Sequence, residues 1–153
     1  MSRIRPWLWI GAFRDTRDVD QLRANEIGAM LQLAAHEPHA GIETLYLAID
    51  DGLPLEAVTL RRGLDFIAAA RARGVRVLVA CGAGISRSAT FCIGALKEAE
   101  GLSLLEGFRA VRSRHHEAFP HPALWVSLAE FFHEPVPFEQ VLEAFPTPDA
   151  NPS

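Results

Sequence analysis

A sulfur nucleophile, two glycines and a guanidinium share one short run, Cys81-Gly82-Ala83-Gly84-Ile85-Ser86-Arg87, with Ser88 directly after it. The Val-rich segment Val75–Ala80 predicts a buried strand leading into this run, and Ser86 to Glu100 predicts a helix leading out. Glycines in such a strand-to-helix loop let successive backbone N–H groups turn inward as an anion-binding nest. The helix N-terminus adds roughly half a unit of positive charge and free donors. Arg87 offers a planar fork that matches two oxygens of a phosphoryl group. Thiols placed beside a cation at a helix N-terminus ionise more readily, so the field that binds a dianion also prepares the sulfur that attacks it. The chemistry is nucleophilic displacement at a phosphate monoester, with Gly82, Ala83, Gly84, Ile85, Ser86 and Arg87 as the phosphate-binding residues.

Other readings fit the loop less well. Gly82-Ala83-Gly84 is half of a dinucleotide fingerprint, but Arg87 stands where a third small residue belongs, and a kinase-type phosphate loop requires a Lys that is missing here. A single Cys is most often an inert core residue. Cys92, well inside the next helix, reads that way, whereas the company of Cys81 argues against it. A sulfur-handling or arsenate-reducing enzyme would want a second reactive Cys within reach, and Cys92 is badly placed for that.

The elements that must hold this loop follow from pattern. Trp7–Ile10, Ala29–Ala34, Thr44–Ile49 and Val75–Ala80 are short apolar runs that predict strands. Asp15 to Asn25 predicts a short helix that ends in a turn at Glu26-Ile27-Gly28. Leu55 to Arg73 carries apolar residues at helical spacing, with Pro54 ahead of it and Gly74 behind. Ser86 to Glu100 is apolar on nearly all sides through its middle, as a central helix is. Ser103 and Glu106 have capping-box spacing ahead of a helix from Leu104 to about Arg114, and Pro122 opens a last one through Phe131. Strands alternating with helices predict an α/β fold with a central, mostly parallel sheet of four to five strands flanked by helices. Ligands of such sheets bind beyond the carboxyl ends of the strands, where the Cys81 loop lies. Residues 1–146 read as a single catalytic domain and 147–153 as a flexible tail.

The chain has 153 residues, close to the size of one domain, with 49% apolar and 22% charged side chains, which disfavours disorder. Its net charge of −4 argues against a nucleic-acid partner. Fourteen of the fifteen cations are Arg, Lys97 being the exception. Two cysteines form no disulfide framework, no Cys/His cluster has zinc spacing, and no apolar window is long enough for a membrane span. The expectation is a cytoplasmic monomer with no metal, no cofactor and no membrane partner.

The loop Cys81 to Thr90 (CGAGISRSAT) resembles the Cys-x5-Arg signature of the protein tyrosine phosphatase superfamily, and most closely its dual-specificity branch. The resemblance runs over about residues 4 to 133, through Leu8-Trp9-Ile10-Gly11, Tyr46-Leu47-Ala48-Ile49-Asp50-Asp51, Val111-Arg112-Ser113-Arg114 and Phe119-Pro120. It implies a protein tyrosine phosphatase-like fold. It implies Cys81 as nucleophile, Arg87 as phosphate ligand, Asp51 as general acid in preference to Asp50, and Ser88 as the hydroxyl that steadies the thiolate. The implied substrate is a phosphorylated protein or peptide, carrying phosphotyrosine and also phosphoserine or phosphothreonine. The chain departs from the family at Ala80, where His usually precedes the nucleophile, and this motivates an alternative reading as a weakly catalytic phosphoprotein-binding module. Arg114 and His115, in a basic knot with Arg112 and His116, are expected either to satisfy a helix C-terminus or to form a substrate rim.

Overall fold

The computed structural model describes residues 1–146, so the tail expected over 147–153 lies outside the described residues. Five strands form one sheet in the order β1-β2-β5-β3-β4: β1 (Ser2–Arg5), β2 (Leu8–Ala12), β3 (Ile27–Gln32), β4 (Glu43–Tyr46) and β5 (Arg76–Cys81). Every pairing is parallel except that of β1 with β2. The predicted mostly parallel sheet is therefore observed, with an antiparallel edge strand added. The central strand β5 is buried along five consecutive residues, which accounts for its unbroken apolar sequence.

Seven helices follow in chain order: α1 (Phe13–Thr16), α2 (Val19–Ala24), α3 (Ala57–Ala72), α4 (Arg87–Glu100), α5 (Leu104–Arg114), α6 (Pro122–Phe131) and α7 (Phe138–Ala144). Helix α4 packs against β2, β5, α3, α5 and α6, so it lies centrally, as its apolar middle predicts. Phe91 on α4 is fully buried and comes so close to Gly63 of α3 that a methyl group there would meet its ring at 2.3 Å. Burial of a side chain of that size stabilises by about 1.5–3 kcal/mol. On the opposite face of the sheet a smaller cluster joins Trp9, Leu22, Ile27, Met30, Leu78 and Ala80.

Several boundaries differ from expectation for identifiable reasons. The helix predicted over Asp15 to Asn25 is two helices, because the Asp18 side chain accepts the Gln21 N–H and starts a second one. The turn predicted at Glu26-Ile27-Gly28 is confined to Glu26, whose φ is +54°, and Ile27 already belongs to β3. Strand β4 stops at Tyr46, short of the expected Ile49. The chain beyond it stays tied to β3 through Leu47 N–H to Gln32 O (2.9 Å) and Ile49 N–H to Leu33 O (3.3 Å). The capping box at Ser103 and Glu106 forms as its spacing predicts, and Pro122 takes the first turn of α6. At the far end of α4, Glu134 accepts from Lys97 Nζ at 2.6 Å and from the Leu104 N–H at 2.8 Å. Burial pushes that carboxyl up, but these two donors and the ammonium charge outweigh it and hold it below the usual carboxylate range.

Candidate active site

Cys81 is the last residue of β5 and is only 2% exposed, so its sulfur lies at the floor of the loop that follows. Three carbonyls of that loop are held from outside. Gly82 O accepts the Phe13 N–H at 3.2 Å, Ile85 O accepts the Phe119 N–H at 2.8 Å, and Gly84 O lies 2.8 Å from His115 Nε2. In a planar trans peptide the carbonyl and the following N–H point in opposite directions. Turning these carbonyls outward therefore turns the Ala83, Ile85 and Ser86 amides inward. Helix geometry leaves the amides of Arg87, Ser88 and Ala89 without partners inside α4, whose first bond runs from the Thr90 N–H to Ser86 O. The cradle is thus made of main chain at the positive end of a central 14-residue helix.

Arg87 closes this cradle. Its Nη1 donates to Ile49 O at 2.9 Å, and its Nη2 lies beside Gly82, where a methyl group would stand 3.1 Å away. Ser88 Oγ is 3.2 Å from Cys81 Sγ, within reach of a hydrogen bond to sulfur. Gly84 has φ +73° and packs onto Gly11, whose carbonyl carbon would lie 2.9 Å from a methyl group there. Gly84→Ala is expected to lower stability by at least about 1–2 kcal/mol from the left-handed backbone alone, with the clash in addition. A thermal melt and a phosphate titration of the variant check this, and an unchanged midpoint with unchanged affinity would refute it.

The carboxylate of Asp51 reaches the loop through Ser86. Ser86 Oγ donates to Asp51 Oδ1 at 2.7 Å and accepts the His121 N–H at 2.8 Å. Ser86 is the residue ahead of α4, yet its hydroxyl does not cap the helix, which leaves the first-turn amides open. The His121 ring flanks Gly52, within 3.5 Å of where a side chain there would begin. Asp50 is exposed on the same loop and takes no part in this chain of bonds. The structure therefore brings together Cys81, Ser86, Arg87 and Ser88 of one loop with Asp51 of a distant one.

The model of the dual specificity phosphatase catalytic domain matches residues 8–134. The chain belongs to the dual-specificity phosphatase family. Members of that family are cysteine-dependent protein phosphatases. Human dual specificity protein phosphatase 22 is 31% identical over 135 residues, covering 86% of this chain and 73% of that protein. Mouse dual specificity protein phosphatase 15 is also 31% identical, and there the chain spans 57% of the relative's length. Among solved structures, a crystal structure of DUSP15 superposes with a TM-score of 0.80 at 28% identity, over 86% of each chain. Human DUSP28 gives the same TM-score at 26% identity, over 94% of this chain and 99% of that one.

Set against this dual-specificity phosphatase frame, the expected substrate rim needs correction at one position. His115 is 7% exposed, with its ring enclosed between Ser2 Oγ (2.7 Å from Nδ1) and Gly84 O, so it lies behind the loop and not at its mouth. Arg112 is committed elsewhere: its guanidinium stacks over Phe119 at 5.6 Å and Phe108 at 5.9 Å, and it donates to Ala118 O. Arg114 is exposed at the end of α5. Ala80 is buried in the smaller core cluster, where it pairs with Gly11 and Gln32 across the sheet. Sequence reasoning missed the backbone donors Phe13 and Phe119 entirely, because a main-chain amide leaves no mark in the residue type. It also missed His121, whose closeness to Asp51 depends on the path of the α5–α6 connection.

Cys92 is fully buried on α4, and that burial, with Cys81 nearby, pushes its thiol far above the ordinary range. Iodoacetate is expected to carboxymethylate Cys81 in the folded protein and to leave Cys92 unmodified, with added phosphate slowing the reaction. Mass mapping of the labelled peptides checks this, and rapid labelling of Cys92 would contradict it.

Proposed function

We propose that this chain hydrolyses phosphate monoesters on protein tyrosine, and on serine or threonine, through a phosphocysteine intermediate. The Cys81 thiolate donates its electron pair to phosphorus and forms the S–P bond as the P–O bond to the leaving group breaks. Asp51 gives its proton to the departing oxygen. Arg87 and the inward amides hold the equatorial oxygens, where charge gathers in the transition state. Asp51, now a carboxylate, takes a proton from water as that water attacks phosphorus. The S–P bond then breaks, inorganic phosphate leaves, and the Ser88 hydroxyl steadies the released thiolate.

The observation that carries this reading is the set of three carbonyls held from outside the loop that begins at Cys81, which by peptide planarity turns their amides to the other side. The protein-substrate assignment is supported by the exposed side chains around the cup. Ala83, Ile85 and Leu53 are small or apolar and add no cation of the kind a polyanionic head group would need. The weakly catalytic binding module is favoured by one observation, the apolar Ala80 ahead of the nucleophile. Rapid-quench kinetics on phosphotyrosine and phosphothreonine peptides separate the two readings. The proposed function gives a burst stoichiometric with enzyme followed by turnover, whereas peptide binding without a burst would establish the alternative.

A further inference from the structure

We propose that His115 is a positioning residue for the phosphate cup: its Nε2–H holds the Gly84–Ile85 peptide so that the Ile85 amide faces the bound oxyanion. This inference rests on the function proposed above.

The hydrogen bond to Gly84 fixes one feature of the ring, a proton on Nε2. A carbonyl oxygen has no proton to give, so His115 Nε2 must donate to Gly84 O across the 2.8 Å contact. In the neutral ring Nδ1 is then the acceptor, and Ser2 Oγ, 2.7 Å away, donates to it. The Gly84 carbonyl thereby sets the tautomer, and the serine of β1 anchors the other ring nitrogen. The charged group facing the ring is Glu117, whose Oε1 is 3.3 Å from Nε2, with His116 on the far side of that carboxylate.

Position explains why this contact matters more than others. Gly84 has φ +73° and no side chain, so the Gly84–Ile85 peptide lacks the steric restraint that a Cβ would impose. The carbonyls of Gly82 and Ile85 are held by main-chain amides, which no substitution short of proline removes. The Gly84 carbonyl is held by a side chain. Residue 80, ahead of the nucleophile, is alanine and contributes no hydrogen bond to the loop from its side chain. The β1 strand, α5 and the phosphate cup are thus linked through one imidazole.

A pair of amide substitutions tests the inference on the full chain. His115→Gln keeps an N–H donor close to the Nε2 position, whereas His115→Asn, one carbon shorter, cannot reach Gly84 O. Inorganic phosphate affinity is read by titration calorimetry, kinetics with p-nitrophenyl phosphate, and the Ile85 amide shift by 15N-resolved NMR with and without phosphate. We expect His115→Asn to weaken phosphate binding and lower kcat/KM by roughly 10–100-fold, less than loss of a whole oxyanion donor. In that variant the phosphate-induced shift at Ile85 is lost, while His115→Gln stays within about threefold of wild type on all three readings. Ser2→Ala, which removes the anchor at Nδ1 and leaves Nε2 in place, should fall between them. Equal behaviour of the Gln and Asn variants, or an unchanged Ile85 shift in Asn, overturns the role of Nε2. A wild-type protein that neither binds phosphate nor turns over substrate overturns the proposed function instead, and the two failures are distinct.

Discussion

Cys81→Ser is expected to eliminate turnover of p-nitrophenyl phosphate, a fall of at least about 10⁴-fold, while phosphate binding survives. A serine hydroxyl is far less acidic than a thiol, so it stays protonated and a far poorer nucleophile toward phosphorus. The cup itself is made of amides and a guanidinium that the substitution does not touch, and the Ser88 hydroxyl remains beside the new oxygen. Steady-state kinetics combined with a phosphate titration resolve the two effects. Turnover of the variant comparable to wild type would remove the covalent intermediate, and loss of both turnover and binding would point to a collapsed loop.

The second large effect is at Asp51, the general acid of the proposed mechanism. Asp51→Asn should lower kcat by about 10²–10⁴-fold, the usual contribution of a positioned proton donor. The loss depends on the leaving group. A phosphothreonine peptide, which expels an alkoxide, should suffer most, and p-nitrophenyl phosphate, which expels a stable phenoxide, least. Ser86→Ala should give a milder version of the same pattern, because Ser86 Oγ holds Asp51 Oδ1 at 2.7 Å and links it to the His121 backbone. A series of substituted aryl phosphates measures the dependence. An Asp51→Asn variant whose deficit is the same for every leaving group would exclude it as the proton donor.

The candidate loop stood out in the sequence because Cys81, the glycines, Arg87 and Ser88 are residue types at fixed spacing, and the structure shows them at the junction of β5 and α4. The central strand and helices were legible for a related reason, since full burial imposes apolar runs on β5 and α4. Strand β1 was missed because its four residues, SRIR, present one buried side chain at Ile4, too little for a periodic signal. Helix α7 was missed for a similar reason, with Val141 its one buried residue. His115 was misread because its polar ring and its place after Arg112 and Arg114 suggest a solvated helix end. What buries it is the pairing of β1 with β2, which brings Ser2 to a residue 113 positions away. No local window contains that information.

In a cup lined by peptide amides and one guanidinium, the side chains of Ala83 and Ile85 are not needed to hold the oxyanion. Ala83 is exposed and Ile85 is 40% exposed. Mutational drift at these two places can recast which neighbouring residues of a target are welcomed, while the machinery that breaks the ester is inherited intact. Selectivity and chemistry can therefore diverge at different evolutionary rates within a single turn of chain.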